Sequence, residues 1–133
     1  MKKFNNIVRF SLENKEITVQ AGITWRNLIQ FIDKYNLSVK VMQSYANFTV
    51  GGSLSVNVHG RYVGQGAIIS SVKKIKIVLA SGEIVTASPS VNAELFSAAI
   101  GGYGGVGVIV EVTLSLTDNV KVERTDTVMN ISS

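Results

Sequence analysis

The 133-residue chain is predicted to be one α+β domain, a mainly antiparallel sheet with helices packed on it. Its length fits a single domain. Several short segments alternate between apolar and polar residues, which is typical of half-buried strands. Two pairs of these segments are joined by short polar turns, as in antiparallel hairpins. The segments that follow the hairpins have apolar residues at helical spacing, which predicts helices that cover the sheet.

The first third of the chain is predicted to form a hairpin and then a helix. The hairpin strands are residues 7–12 and 17–21. Thr24 is a good N-cap, and the helix after it carries one apolar face: Trp25, Leu28, Ile29 and Ile32. Residues 43–66 lose this periodicity, so we expect a loop there with one short helical turn at residues 53–56.

The second half is predicted to contain another hairpin, a helix and a long last strand. The hairpin strands are residues 74–79 and 83–87, and the helix begins near Asn92 and ends at the glycine run of residues 101–105. The last strand is expected to bury one row of side chains: Val108, Val110, Val112, Leu114 and Leu116. The order β-β-α-loop-β-β-α-β differs from that of a Rossmann unit.

The composition excludes several classes of function. The net charge is +4, and the one basic cluster, Lys73, Lys74 and Lys76, is typical of a solvated strand face, so we expect no nucleic acid partner. No apolar run reaches the roughly 20 residues that span a membrane, and no signal peptide is visible, which favours a cytoplasmic location. A lone histidine and no cysteine predict no metal site. No serine is placed with a base for nucleophilic catalysis.

The segment from Thr49 to Arg61 is the first candidate for ligand binding. Gly51 and Gly52 allow the backbone to approach a ligand closely. A short helical turn after them would offer free N–H groups to an anion. Ser53, Ser55 and Asn57 would add side-chain donors on nearly the same side, which suits an anionic ligand such as a dinucleotide. A structural role for the glycine pair in a tight turn remains the alternative.

The second candidate segment is the glycine run before the last strand. Five of the seven residues 101–107 are glycines. A backbone without side chains lets the strand start at Val108 and Ile109 pass close to a flat ligand. A flexible connection between helix and strand explains the same glycines equally well, so both interpretations stay open.

Together the two segments resemble those of the vanillyl-alcohol oxidase/PCMH flavoprotein family. Residues 49–55 are similar to the motif that wraps the FAD pyrophosphate in that family. Residues 92–96, followed by Gly101, Gly102 and residues 107–109, resemble its downstream helix and strand. The resemblance covers roughly residues 10–116. It implies that FAD is contacted by Thr49, Gly51, Gly52, Ser53, Ser55, Asn57, His59, Gly60, Val108 and Ile109.

Residues 58–61, Val-His-Gly-Arg, indicate a smaller group of enzymes within this family. Their His-Gly pair resembles the one at this place in the aldonolactone and alditol oxidases and the decaprenylphosphoryl-ribose oxidase, which oxidise sugar or polyol hydroxyls. The resemblance therefore implies part of a flavin-dependent oxidoreductase with a small-molecule substrate. A non-catalytic module that binds an anionic partner is the alternative. No catalytic residue is assigned, since His59 is either close to flavin or substrate or held in a structural hydrogen bond.

The resemblance also predicts a domain organisation. Residues 1–118 match the second of two FAD subdomains, and residues 119–133 form a polar tail, expected to be an edge strand or a truncation stub. The other lobe usually carries the covalent flavin link, so we expect non-covalent FAD binding through this chain, which alone would be inactive. The chain is apolar for its size, with 46% hydrophobic residues, so self-association through an uncovered face is also expected.

Overall fold

The computed structural model describes residues 3–130. The first two residues of the predicted subdomain and the last three of the predicted tail lie outside this range. The described part contains six strands: β1 (Ile7–Ser11), β2 (Glu16–Gln20), β3 (Leu37–Val39), β4 (Val72–Val78), β5 (Ile84–Ala87) and β6 (Val108–Asp118). Three α-helices accompany them: α1 (Trp25–Ile32), α2 (Val50–Ser55) and α3 (Ala93–Ala99). None of these helices is long and apolar enough to cross a membrane.

The strands form one antiparallel sheet in the order β1-β2-β6-β4-β5. β6 lies at its centre and pairs with β2, β4 and, near its C-terminal end, β3. The two predicted hairpins are β1–β2 and β4–β5. The α+β fold class predicted from the periodicity is confirmed. The last strand, rather than either hairpin, joins the two halves of the sheet.

The hydrophobic core lies between the sheet and its helices. Thr24 caps α1 by accepting a hydrogen bond from the Asn27 N–H, at 3.3 Å. The predicted apolar face of α1 is buried at Trp25, Leu28 and Ile32. On the opposite face of the sheet, Lys73 and Lys76 form ion pairs with Glu16 and Glu111, as expected for a solvated strand face.

Strand β3 was not predicted. It follows Asn36, whose left-handed backbone (φ 56°) ends a 3-10 turn, and it is only three residues long. Alternation over three residues is too short to be recognised as a strand. Its pairing with residues 116–118 of β6 is a tertiary contact that local sequence does not encode.

The predicted buried row of β6 was wrong at its first two positions. The Val108 side chain is 51% exposed and Val110 is only half-buried, whereas Ile109 is buried. The pairing of β6 with β4 shifts between Lys76 and Ile77. A bulge of this kind inserts one residue into one strand and reverses the side-chain alternation beyond it. Strict alternation along the sequence therefore assigned Val108 to the wrong face.

Candidate functional site

Helix α2 occupies the first predicted ligand segment and begins at Val50, earlier than expected. Thr49 caps it by accepting a hydrogen bond from the Gly52 N–H, at 3.1 Å. The Val50 and Gly51 N–H groups donate to Ile23 O and Ala21 O, both at 2.8 Å, and the Ser53 N–H donates to Thr49 O at 3.0 Å. Every N–H of the first turn thus has an acceptor in the protein. The expectation that this turn offers free donors to an anion was wrong.

The two adjacent glycines of α2 face different surroundings. Gly51 is buried, and a Cβ there would lie 2.8 Å from Ala21 Cβ and 2.9 Å from Ala21 O. Gly52 is exposed, and a Cβ there would meet only Thr49 Oγ1, at 3.1 Å. Packing against the end of β2 therefore explains Gly51. Gly52 leaves a side of α2 where a ligand can reach the backbone without meeting a side chain.

The three predicted side-chain donors of this segment do not form one row. The Ser53 side chain is buried beneath α2, and its Oγ accepts a hydrogen bond from Trp25 Nε1 at 2.8 Å. The Ser55 hydroxyl donates to Gly51 O at 2.9 Å. Asn57 Oδ1 accepts from the Ile69 N–H at 3.2 Å. Each polar side chain already has a partner in the protein, and their contacts with a cofactor remain predictions.

The structure brings the two predicted ligand segments together at the C-terminal end of α2. The Gly101 N–H donates to Leu54 O and the Tyr103 N–H donates to Ser55 O, both at 2.9 Å. A Cβ on Gly101 would also lie 3.1 Å from Asn57 Cβ. The glycine turn of residues 101–107 therefore caps the last carbonyls of α2, and the two segments form one continuous surface.

Val108 and Ile109 lie where this surface meets the sheet. Both pair with β4, opposite Val78 and Ile77. The pairing of β6 with β2 ends at Glu111, so one backbone edge of Val108 and Ile109 lies outside the β2–β6 ladder. The preceding Gly107 is required by close packing, because a Cβ there would lie 2.6 Å from Val78 O.

His59 and Gly60 follow α2 in an exposed loop. His59 Nδ1 lies 3.1 Å from Gly60 O, and the His59 backbone forms an isolated antiparallel bridge with Ala67. Gly60 packs against the preceding loop, since a Cβ there would lie 2.8 Å from Met42 O. The imidazole is exposed, which leaves it accessible to a ligand while its backbone holds the loop closed.

A cavity of about 640 Å³ lies elsewhere. It is formed by the end of β6, β3 and a loop, and its lining includes Lys40, Tyr62, Gln65 and Asn119. None of its lining residues belongs to residues 49–60 or 101–109. It is therefore separate from the surface built by α2 and the glycine turn.

Sequence reasoning missed two residues that support this surface, Trp25 and Gln43. Trp25 was assigned only to the apolar face of α1, and Gln43 only to a loop. A buried indole N–H usually finds a hydrogen-bond partner. The single tryptophan of the chain on a buried helix face was therefore a signal that a polar partner lay nearby in the core.

Comparison with known proteins identifies similar chains. A family model described as "FAD binding domain" matches residues 1–88. The chain is 31% identical over 125 residues to L-gulonolactone oxidase from Bos taurus, which covers 94% of this chain and 28% of that protein. It is 38% identical over 101 residues to cytokinin dehydrogenase 1 from Arabidopsis thaliana, covering 75% of this chain and 18% of that protein.

A third relative is a putative D-arabinono-1,4-lactone oxidase from Neurospora crassa, 31% identical over 113 residues, which cover 85% of this chain and 20% of that protein. The matches thus span between 18% and 28% of the length of these three curated relatives. Two of the three names describe lactone oxidases and the other a dehydrogenase. What the relatives share with this chain is therefore one region of a longer protein.

Proposed function

Because the chain belongs to the family of FAD-binding domains, as the resemblance of its glycine segments predicted, we propose that it is the FAD-binding part of a flavin-dependent oxidoreductase. The substrate of the whole enzyme would be a sugar, polyol or lactone whose hydroxyl is oxidised. One observation carries the proposal for this chain. The two segments that resemble the family's cofactor motifs adjoin through the Gly101 to Leu54 and Tyr103 to Ser55 hydrogen bonds.

The exposed side of α2 suits the pyrophosphate of FAD. At Gly52 the backbone is open, and no carboxylate is supplied by this part of the sequence, since no acidic residue occurs between Asp33 and Glu83. The loop that follows α2 contains Arg61 as a basic residue. A diphosphate lying along α2 would therefore meet no carboxylate from α2 or its flanking loops, and the positive balance favours its approach.

The start of β6 suits the adenosine half. Val108 and Ile109 carry a backbone edge outside the β2–β6 ladder, next to a glycine turn that offers few side chains to block a flat ring. Thr49, Gly51, Ser53, Ser55, Asn57 and Gly60 would then shape the site rather than all contact the cofactor, since their groups are engaged in the protein.

We further propose that this chain holds FAD without a covalent bond. The resemblance assigns the usual covalent histidine to another lobe of the family's cofactor domain. His59, the one histidine of the chain, is exposed beyond the C-terminal end of α2 and would lie close to flavin or substrate. When bound, FAD would supply the hydride acceptor for oxidation of the substrate's hydroxyl-bearing carbon.

Support for a lactone or sugar substrate comes from two sources. Two relatives are named L-gulonolactone oxidase and putative D-arabinono-1,4-lactone oxidase, and residues 58–61 resemble the aldonolactone oxidases. The alternative is a non-catalytic module that reuses the fold to bind an anionic partner. The relatives named as oxidases or dehydrogenases favour the flavin-dependent enzyme over that alternative.

The proposal is tested by titrating the isotope-labelled chain with FAD. The site offers one wall, whose electrostatic contacts are screened by water, while association costs an estimated 4–15 kcal/mol. We therefore expect calorimetry to give a dissociation constant in the high-micromolar range or weaker, on the order of −6 kcal/mol or less favourable. The amide resonances that move should be those of Gly52, residues 101–105, Val108 and Ile109. Shifts confined to the lining of the 640 Å³ cavity would contradict the assignment, and tight stoichiometric binding would contradict the one-wall site.

Self-association is expected from the same surface. Several apolar side chains around it are exposed: Val56, Tyr103, Val106 and Val108. Contiguous exposed apolar groups promote association. Light scattering should show a mass that increases with protein concentration and falls towards that of the monomer when FAD is added. A mass that is independent of both would show that these side chains are merely scattered on the surface.

A further inference from the structure

A single buried hydroxyl connects three segments beneath the proposed FAD surface. Ser53 Oγ accepts a hydrogen bond from Trp25 Nε1 of α1 at 2.8 Å. It lies 2.9 Å from Gln43 Oε1 and 3.0 Å from Thr49 O, and its one hydrogen serves one of these two acceptors at a time. The start of α1, the loop of residues 43–49 and α2 therefore meet at this oxygen.

The burial of this group makes its contacts expensive to lose. The Ser53 side chain is 1% exposed and Trp25 is 0% exposed. If the hydroxyl is removed, the indole N–H loses its acceptor and no solvent is available to replace it. A buried donor without a partner destabilises the folded state far more than an exposed one. The contacts of Ser53 with other protein groups also leave its oxygen without surface for a ligand.

The network determines where the loop of residues 43–49 lies against α2. Gln43 and Thr49 are the two ends of that loop, and both contact Ser53 Oγ. The backbone N–H of Trp25 also donates to Phe48 O, at 3.1 Å. The loop presents two exposed rings, those of Tyr45 and Phe48, whose centroids are 5.3 Å apart. A change at Ser53 would therefore displace the loop and its rings relative to the exposed side of α2.

We propose that Ser53, Trp25 and Gln43 are positioning residues of the FAD site, which hold α2 and the loop of residues 43–49 in the arrangement that binds the cofactor. Ser53 acts from beneath α2 and does not contact FAD. This inference rests on the proposed function, because it takes the exposed side of α2 as the cofactor surface. It replaces the direct contact that the sequence predicted for Ser53 with an indirect role.

The test compares Ser53→Ala with Ser71→Ala. Ser71 is a matched control, since it is also buried, at 3% exposure, and its hydroxyl donates only to Ile68 O at 2.8 Å. Ser53→Ala should raise the FAD dissociation constant about tenfold, whereas Ser71→Ala should change it by less than about twofold. Without FAD, amide hydrogen exchange of residues 43–49 should accelerate in Ser53→Ala only. The chain has one tryptophan, so the loss of its hydrogen bond is visible as an upfield shift of a single indole resonance.

Gln43→Ala keeps the test decisive if Ser53→Ala does not fold. In that variant Ser53 still donates to Thr49 O and accepts from Trp25, so no group in the core loses its partner. It should raise the FAD dissociation constant severalfold and accelerate exchange in the same loop. Equal effects of Ser53→Ala and Ser71→Ala on FAD binding would show a merely structural role and overturn the inference. An FAD dissociation constant for Gln43→Ala equal to that of the wild-type chain would overturn it too. If the wild-type chain shows no FAD-dependent shift at Gly52, the proposed function itself fails.

Discussion

The two sides of α2 carry adjacent glycines in opposite situations. Gly51 faces the end of β2 and has no room for a side chain, whereas Gly52 faces solvent and is limited only by Thr49 Oγ1. The serines of the helix repeat this difference, because Ser53 is buried and Ser55 is half-buried. The short segment of α2 therefore has one side that packs against the protein and one side that is accessible to a ligand. The residue types alone do not indicate which glycine or serine lies on which side.

The strongest test of this difference is Gly51→Val. Its Cβ would lie 2.8 Å from Ala21 Cβ and 2.9 Å from Ala21 O, and the backbone at Ala21, directly after β2, cannot move aside without breaking the Gly51 N–H to Ala21 O bond. Overpacking of this kind should lower the free energy of unfolding by about 3 kcal/mol. Urea denaturation followed by the fluorescence of buried Trp25 measures it. An unchanged midpoint would mean that Gly51 is not fixed by packing.

The same substitution one residue later should affect binding instead of folding. Gly52→Val adds a side chain on the exposed side, where the change in the free energy of unfolding should stay below about 1 kcal/mol. The side chain blocks approach to the backbone, so the FAD dissociation constant should rise more than about tenfold, or about 1.4 kcal/mol. FAD titration and urea denaturation of both valine variants give the comparison. An unchanged FAD affinity in Gly52→Val would show that the cofactor does not bind on this side of α2.

The smallest effect is expected for Ser55→Ala. Its hydroxyl donates to Gly51 O, a contact of the kind that slightly disfavours a helix, so the stability should change by less than about 0.5 kcal/mol. If the hydroxyl turns to donate to the cofactor diphosphate, or shapes its surface, the FAD dissociation constant of the variant should rise about threefold. An unchanged constant would restrict the accessible side of α2 to backbone atoms.

The sheet was predictable because apolar and polar residues alternate along the sequences of its strands. Ile17 and Val19 alternate with polar residues and are buried, and Ile75 and Ile77 do the same in β4. The helix after Thr24 was equally visible, since its cap and apolar face are both local features. Elements whose boundaries depend on local periodicity were therefore placed close to their observed positions.

The features that were missed depend on contacts between distant residues. Strand β3 exists because Leu37 pairs with Asp118, and the bulge in β6 depends on its register with β4. The first-turn N–H groups of α2 find acceptors at Ala21 and Ile23, which the sequence of α2 does not reveal. The segments proposed to contact the cofactor were chosen by resemblance, but the structure was needed to show which of their atoms are engaged in the protein.

The central position of β6 has a consequence for how the chain folds. The hairpins β1–β2 and β4–β5 are local, but each joins the sheet only by pairing with residues 108–118. During synthesis, both hairpins would leave the ribosome before the strand between them, with their inner edges unpaired. Topologies dominated by such sequence-distant pairings fold slowly, on the order of milliseconds to seconds. The nascent chain would therefore expose two sheet edges until β6 emerges. A chaperone would be most useful during that interval.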